Sequence, residues 1–141
     1  DDLANTSSIF SIMPNLDPTV NSMKIDLTGD KIAIILPEIA FGIYKSMSTA
    51  LDLQQAMYSM IIVPALEYVF SEIKLARNQL FIYEEQRWFR NLKKACNKLE
   101  ISISEETLDN LDILTTSQLL IDNPVIDGLK IFAGSEADYE D

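Results

Sequence analysis

Residues 57–70 read MYSMIIVPALEYVF and form the most apolar stretch of the 141-residue chain. Apolar side chains nearly surround a helix drawn through them, which is typical of a helix in the middle of a domain. The stretch contains Pro64 and Glu67 and is shorter than the roughly 20 residues that a membrane-spanning helix needs. Because Pro64 cannot donate a backbone hydrogen bond to Met60, we expect a kink there or a new helix beginning at Pro64. The sequence therefore predicts a central core helix and no membrane contact.

Helical periodicity extends from this stretch in both directions. After Pro37, apolar residues step by three and four along the chain, which predicts a second long helix. A third is expected over residues 80–99. Capping patterns mark shorter helices: Ser104 with an acidic first turn, Thr115 paired with Gln118, and Asn123-Pro124 before a helix from Val125 to Phe132 that Gly134 ends.

The segment before Pro37 has a different period. Residues 23–27 alternate in polarity, residues 28–30 have the composition of a turn, and residues 31–36 form a β-branched run. This pattern predicts a β-hairpin. Because an isolated hairpin is marginally stable in water, it must pack on the helices or pair with a further strand, for which residues 101–103 are a candidate.

Together these elements predict an α+β, predominantly α-helical fold. We expect an N-terminal β-hairpin at about residues 23–36, packed on a bundle of three long and two or three short helices. One globular domain is expected over residues 23–134. Residues 1–22 are polar and are expected to form a loose N-terminal arm, while residues 135–141 form an acidic, flexible tail. An apolar cluster would pin the arm to the core: Ile9, Phe10, Ile12 and Met13.

The composition excludes most standard catalytic sites. The chain has no histidine, which removes the commonest general base and metal ligand, and its one cysteine, Cys96, cannot complete a zinc site or an intrachain disulfide. The four glycines are well separated, so no glycine-rich phosphate loop is present. We therefore expect no enzyme activity, no metal and no cofactor, an inert core thiol at Cys96, and a reducing, cytoplasmic location.

A basic stripe is the most structured candidate site. The net charge of −11 disfavours general affinity for nucleic acid, yet five of the eleven basic residues fall between Arg87 and Lys98. On a helix, Arg87, Lys94 and Lys98 point the same way and Arg90 lies about 60° to one side. The stripe could bind an acidic partner or phosphates, contact the acidic tail, or be an ordinary solvated face.

An apolar pocket or groove is the second candidate. It would be formed by Met57, Met60, Tyr68 and Trp88, since methionine-rich apolar grooves can dock partners. Core packing is the alternative for all four residues. Glu67 and Glu72 lie on or beside the most apolar helix, where a buried carboxylate could act as an acid or base.

These features favour a non-enzymatic protein–protein interaction or assembly domain, which could belong to a larger intracellular protein. Its partner would be a protein, either a second copy or another chain, and an exposed apolar patch on the folded domain would support this function. Two alternatives stay open. One is a nucleic-acid-associated accessory protein that uses the basic stripe, and the other is a small-ligand-binding or enzymatic domain that uses buried carboxylates.

Overall fold

The computed structural model describes residues 6–134, which form an α+β, mainly helical fold as predicted. The predicted acidic tail and the first five residues of the predicted arm lie outside the described residues. Strand β2 (Lys24–Asp26) pairs antiparallel with β3 (Ile32–Leu36), which confirms the hairpin. The buried side chains of β3 alternate along the strand, so one face of the sheet is covered by the core: Ile32, Ile34 and Leu36.

The third strand comes from the N-terminal region. Residues 10–14 fall within the predicted arm, yet after a short helix α1 (Thr6–Ile9) they form β1 (Phe10–Pro14), parallel to β3 on the side opposite β2. The prediction of a strand at residues 101–103 is wrong. That segment follows Glu100, whose positive φ of 63° turns the chain sharply, and its two isoleucines pack on the core from a loop.

A nearly continuous helical run crosses the molecule between residues 51 and 75. It consists of a 3₁₀ turn (Leu51–Leu53), α3 (Gln54–Met57), a π-helical turn (Tyr58–Ile62) and α4 (Val63–Leu75). The π turn ends just before Pro64. Because Pro64 has no backbone N–H to donate to the carbonyl of Met60, the helical hydrogen-bond pattern changes here, at the predicted position. By length and composition alone the run could cross a membrane. In the fold, one face of α4 is in the core: Val63, Ala65, Leu66, Val69, Phe70 and Ile73.

Two more long helices flank this run. Helix α2 (Glu38–Met47) begins after Pro37, and none of its residues is fully buried. The helix expected over residues 80–99 begins only at α5 (Arg87–Lys98). The preceding segment forms 3₁₀ turns (Arg77–Tyr83) that are interrupted at Gln79, where φ is −138° and ψ is 40°. Gln86 is extended and separates them from α5.

Three short helices complete the bundle: α6 (Glu105–Asp109), α7 (Ile113–Leu119) and α8 (Val125–Ala133). Ser104 caps α6 as predicted, in a reciprocal box with Thr107. The predicted cap at Thr115 is wrong. Asp112 caps α7 instead, because its carboxylate lies three residues earlier and accepts the Thr115 N–H at 3.0 Å. Gly134 ends α8 with a φ of 81°.

The start of α5 joins the hairpin to the helices. The indole N–H of Trp88 donates to the carbonyl of Leu27 at 3.1 Å, and the Trp88 backbone N–H donates to the carbonyl of Asp30 at 3.0 Å. The side-chain amide of Gln86 donates to the carbonyl of Thr28 at 3.1 Å. The turn of the hairpin thereby satisfies backbone and side-chain donors at the first turn of α5, where a helix has no partners of its own.

Candidate functional site

The basic stripe is present on the surface of α5. Arg87, Arg90, Lys94 and Lys98 are all exposed. Arg90 donates to the backbone carbonyl of Glu84 at 2.7 Å. Lys93, the fifth basic residue of the helix, forms an ion pair with the Glu84 carboxylate at 3.6 Å, and its ammonium group lies over the Phe89 ring. Among the ion pairs described within residues 6–134, none involves the four stripe residues, and the acidic tail that could contact them lies outside the described residues.

The predicted groove of Met57, Met60, Tyr68 and Trp88 does not form as one site. Trp88 is fully buried because its indole is held by the hairpin backbone, so it lines no surface. Met60 is 69% exposed, whereas Met57 is half-buried and lines a groove. Tyr68 lies at a different cleft, beside the hairpin. The wider π turn that starts after Met57 changes the helical phase, which a uniform 100° step does not anticipate.

Helix α8 carries an exposed apolar stripe, and we name its four residues the α8 stripe: Val125, Ile126, Leu129 and Phe132. Their side chains are 43% to 74% exposed. At 100° per residue they fall on an arc of about 120°. On another side of the helix, Gly128 packs so closely on α3 that an added Cβ atom would lie 3.1 Å from the Cα of Ala56. The sequence predicts the helix over these residues but not which of its faces is exposed.

Helix α2 adds a second exposed apolar face. Ile39 is 78% exposed and Ile43 is 55% exposed, four residues apart on the outer side of the helix. The opposite side of α2, with Phe41 and Tyr44, faces a groove. Apolar residues therefore cover more of α2 than the core can bury.

The groove lies between α2 and the run of α3 with its π turn. It has a volume of about 380 Å³, and β1 contributes Phe10 and Ile12 to it. The other lining residues come from the two helical walls: Phe41, Tyr44, Lys45 and Ser48 on one side, and Gln54, Met57, Tyr58, Ile61 and Ile62 on the other. Lys45 is the single charged residue among them.

A second, open cleft of about 480 Å³ separates the hairpin from α4 and contains Glu72. Burial raises the pKa of Tyr83, and the charges of Glu72 and Tyr68 add to this effect. Two hydrogen bonds from Thr28 lower the pKa of Asp26, so this carboxylate is ionised at neutral pH. Tyr83 is therefore protonated at neutral pH in the same cleft as the ionised Asp26 carboxylate. Glu67 is half-buried on α4 and does not line the cleft.

Cys96 is a free cysteine that is buried in the core. Burial of the Cys96 thiol raises its pKa to about 12, so it carries no thiolate at neutral pH. Within residues 6–134 no three histidine, cysteine or acidic side chains cluster as a metal site would require. Comparison of the chain with protein-family models, curated proteins and solved structures gives no match. The surface features available for binding are therefore the exposed apolar faces, the groove and the basic stripe.

Proposed function

We propose that this chain is a non-enzymatic protein–protein interaction domain that binds a partner protein through the α8 stripe. One observation carries the proposal: four large apolar side chains, each at least 43% exposed, share one arc of a nine-residue helix. Burying such side chains against a partner releases about 25 cal/mol for each Å² of apolar surface. Contiguous exposed apolar surface of this kind marks interaction sites.

The packing of α8 against α3 supports a role in docking. Gly128 allows the helix to approach the backbone of Ala56 and Gln55 closely, so the α8 stripe is presented on a helix that is packed along its other side. Val125, Leu129 and Phe132 follow the i, i+4, i+7 spacing by which helices recognise apolar grooves and other helices. A partner helix laid against α8 would cover these side chains.

Charge favours a partner other than a second copy. Each copy carries a net charge of −11, so two copies repel each other. Asp122 precedes α8 in the sequence, and Glu136 and Asp138 follow it. The complementary partner is therefore an amphipathic helical segment whose apolar face is flanked by lysine or arginine.

The test compares two variants that make the same chemical change. Leu129→Lys places a charge in the α8 stripe at a leucine that is 63% exposed, whereas Leu75→Lys does so at the end of α4, at a leucine that is 77% exposed. The probe is a fluorescent helical peptide with a leucine stripe and flanking lysines, and its binding is measured by anisotropy. We expect Leu129→Lys to weaken binding about tenfold or more and Leu75→Lys to leave it within about twofold.

Two further measurements test the proposal without the peptide probe. Light scattering is expected to give the mass of a monomer, and a stable dimer that Leu129→Lys dissociates would contradict the choice of partner. Proteins that co-purify from the source cell with the original chain, but not with Leu129→Lys, should carry basic amphipathic segments. If peptide binding and co-purification are the same for both variants, the α8 stripe is not a docking site.

The second candidate is an accessory role in binding nucleic acid, and the exposed basic stripe on α5 favours it. Phosphate binding would require local positive charge, which Arg87, Arg90, Lys94 and Lys98 provide. This function predicts that a labelled oligonucleotide binds less tightly as salt rises, and that Arg87→Glu with Lys94→Glu abolishes binding. Lys31→Glu, at an exposed lysine outside the stripe, is the control. Absent or salt-independent binding would exclude this function.

A further inference from the structure

We infer that the groove between α2 and the π turn is a binding site for a single-chain fatty carboxylate. Its volume of about 380 Å³ falls at the lower end of the range of roughly 300–1,000 Å³ for small-molecule sites. Such sites are lined mainly by apolar and aromatic side chains with a few polar groups, and this groove has the same composition. The inference is independent of the α8 stripe, which lies on another helix.

The π turn is the first local feature that supports a site here. Tyr58, Ile61 and Ile62 belong to this turn, and all three line the groove. A π turn is rare because it departs from the regular α-helical ladder, and such turns occur frequently at functional sites. Here the turn places these three side chains on the groove wall.

Three polar residues of the groove lie near the connection over residues 48–53, which joins α2 to α3. Ser48 is part of this connection, Gln54 follows it directly and Lys45 precedes it by three residues. By contrast, β1 contributes only apolar side chains, Phe10 and Ile12. A ligand with a polar head at the connection and an apolar chain running toward β1 and the π turn would match this division.

The charge of the groove selects an anionic head. Lys45 is the one charged residue in the lining of a groove that belongs to a strongly acidic chain. Its ammonium group lies 5.9 Å from the centre of the Phe41 ring, on the same groove wall. One ammonium group neutralises one carboxylate, so a monoanion fits better than a phosphate with two charges. An unbranched acyl chain would lie along the apolar lining.

Titration with dodecanoate, below the concentration at which it forms micelles, tests the inference. Calorimetry is expected to give one bound molecule per chain, and amide chemical shifts should change at Phe41, Tyr58 and Ile61. Lys45→Glu should weaken dodecanoate binding about fivefold and leave binding of the uncharged dodecanol nearly unchanged. Lys24→Glu makes the same change in net charge at an exposed lysine of β2, outside the groove and the basic stripe, and should have no effect beyond about twofold.

A second variant tests the groove itself. Met57→Trp would fill part of the lining volume and should weaken dodecanoate and dodecanol alike, with folding checked by amide spectra. Unsaturable binding, binding of several molecules per chain, or shifts confined to α8 would overturn the inference. So would equal effects of Lys45→Glu and Lys24→Glu, because the head would then have no specific contact with the groove.

Discussion

Cys96 illustrates how burial alone decides the chemistry of a side chain. Its thiol is fully buried and has a pKa raised from 9.0 to about 12, so the folded chain keeps the proton that the unfolded chain releases near pH 9. Unfolding therefore releases a proton in this range, and the free energy of unfolding falls as pH rises. We expect this thiol to contribute a loss of about 1.4 kcal/mol per pH unit between about pH 9 and about pH 11.

Urea denaturation of the original chain and of Cys96→Ala at several pH values measures this effect. Cys96→Ala lowers the absolute stability because it leaves a small cavity, but it should remove the part of the pH slope that belongs to the thiol. Other groups that titrate in this range, including Tyr83, are common to both proteins. Parallel pH profiles for the two proteins would contradict the prediction, because they would show that the pKa of the Cys96 thiol is not raised in the folded state.

Ser104 is a residue whose role depends on one hydrogen bond. Its hydroxyl accepts the backbone N–H of Thr107, and the Thr107 hydroxyl accepts the backbone N–H of Ser104 at 2.9 Å. Ser104→Ala removes the acceptor and should lower the free energy of unfolding by about 1 kcal/mol. The control is Ser102→Ala, at an exposed serine two residues earlier, for which we expect a change below about 0.5 kcal/mol. Equal urea midpoints for the two variants would contradict the capping role.

At the scale of elements, α8 depends on the absence of a side chain at position 128. A larger residue there would meet the backbone of Ala56 and Gln55, which belongs to a helix and cannot move aside easily. Gly128→Leu should therefore lift α8 from α3 and lower the free energy of unfolding by about 1–3 kcal/mol. Hydrogen exchange at the amides of α8 should become faster, whereas exchange in α5 should change much less.

A matched substitution separates packing from helix propensity. Leu129 lies next to Gly128 but is 63% exposed, so Leu129→Gly acts mainly through the helix backbone. Leu129→Gly should lower the free energy of unfolding by about 1 kcal/mol. Its Tm should fall by less than the Tm of Gly128→Leu. If Gly128→Leu leaves α8 exchange unchanged, the close approach of α8 and α3 is not required for docking of the helix.

Much of the element map could be predicted because it depends on local chemistry. The changed helix geometry before Pro64 and the Ser104 cap each follow from one or two residues whose preferences are strong, and the hairpin follows from the alternation, turn and β-branched run of residues 23–36. The elements that the sequence predicts incorrectly are those for which two local structures compete. Asp112 outcompetes Thr115 as a cap, and the 3₁₀ turns over Arg77–Tyr83 replace a helix whose periodicity continues through them. Such choices are made by packing, which one sequence does not reveal.

At the scale of the whole molecule, the sheet and helices share a single apolar cluster that includes Ile34, Phe70 and Trp88. We expect them to unfold together. Trp88 is the one tryptophan of the chain and is fully buried, so its fluorescence reports the joint between the hairpin and α5. Far-ultraviolet circular dichroism reports the helices. The two signals should give the same urea midpoint, as two-state unfolding requires. A fluorescence midpoint below that of the helices would show that the sheet detaches first.

The candidate surfaces were only partly predictable at this scale. The basic stripe follows from helical spacing alone, and all four residues lie where the spacing places them. The predicted groove residues separate because Trp88 turns inward to the hairpin, a partner about sixty positions away in the sequence. The α8 stripe was hidden because its apolar spacing is the same whether a helix is packed against its own domain or exposed to solvent.

The hydrogen bonds between α5 and the hairpin turn have a consequence for biosynthesis. They join residues 58 and 61 positions apart, Gln86 to Thr28 and Trp88 to Leu27, so the strands leave the ribosome long before their anchor does. Contacts between residues so far apart in the sequence slow folding. Until they form, the sheet of the nascent chain has unpaired edges. A nascent chain arrested before residue 86 emerges should thus be digested by protease at the hairpin. One arrested after α5 has emerged should resist digestion there, so the sheet gains its protection only after translation of α5.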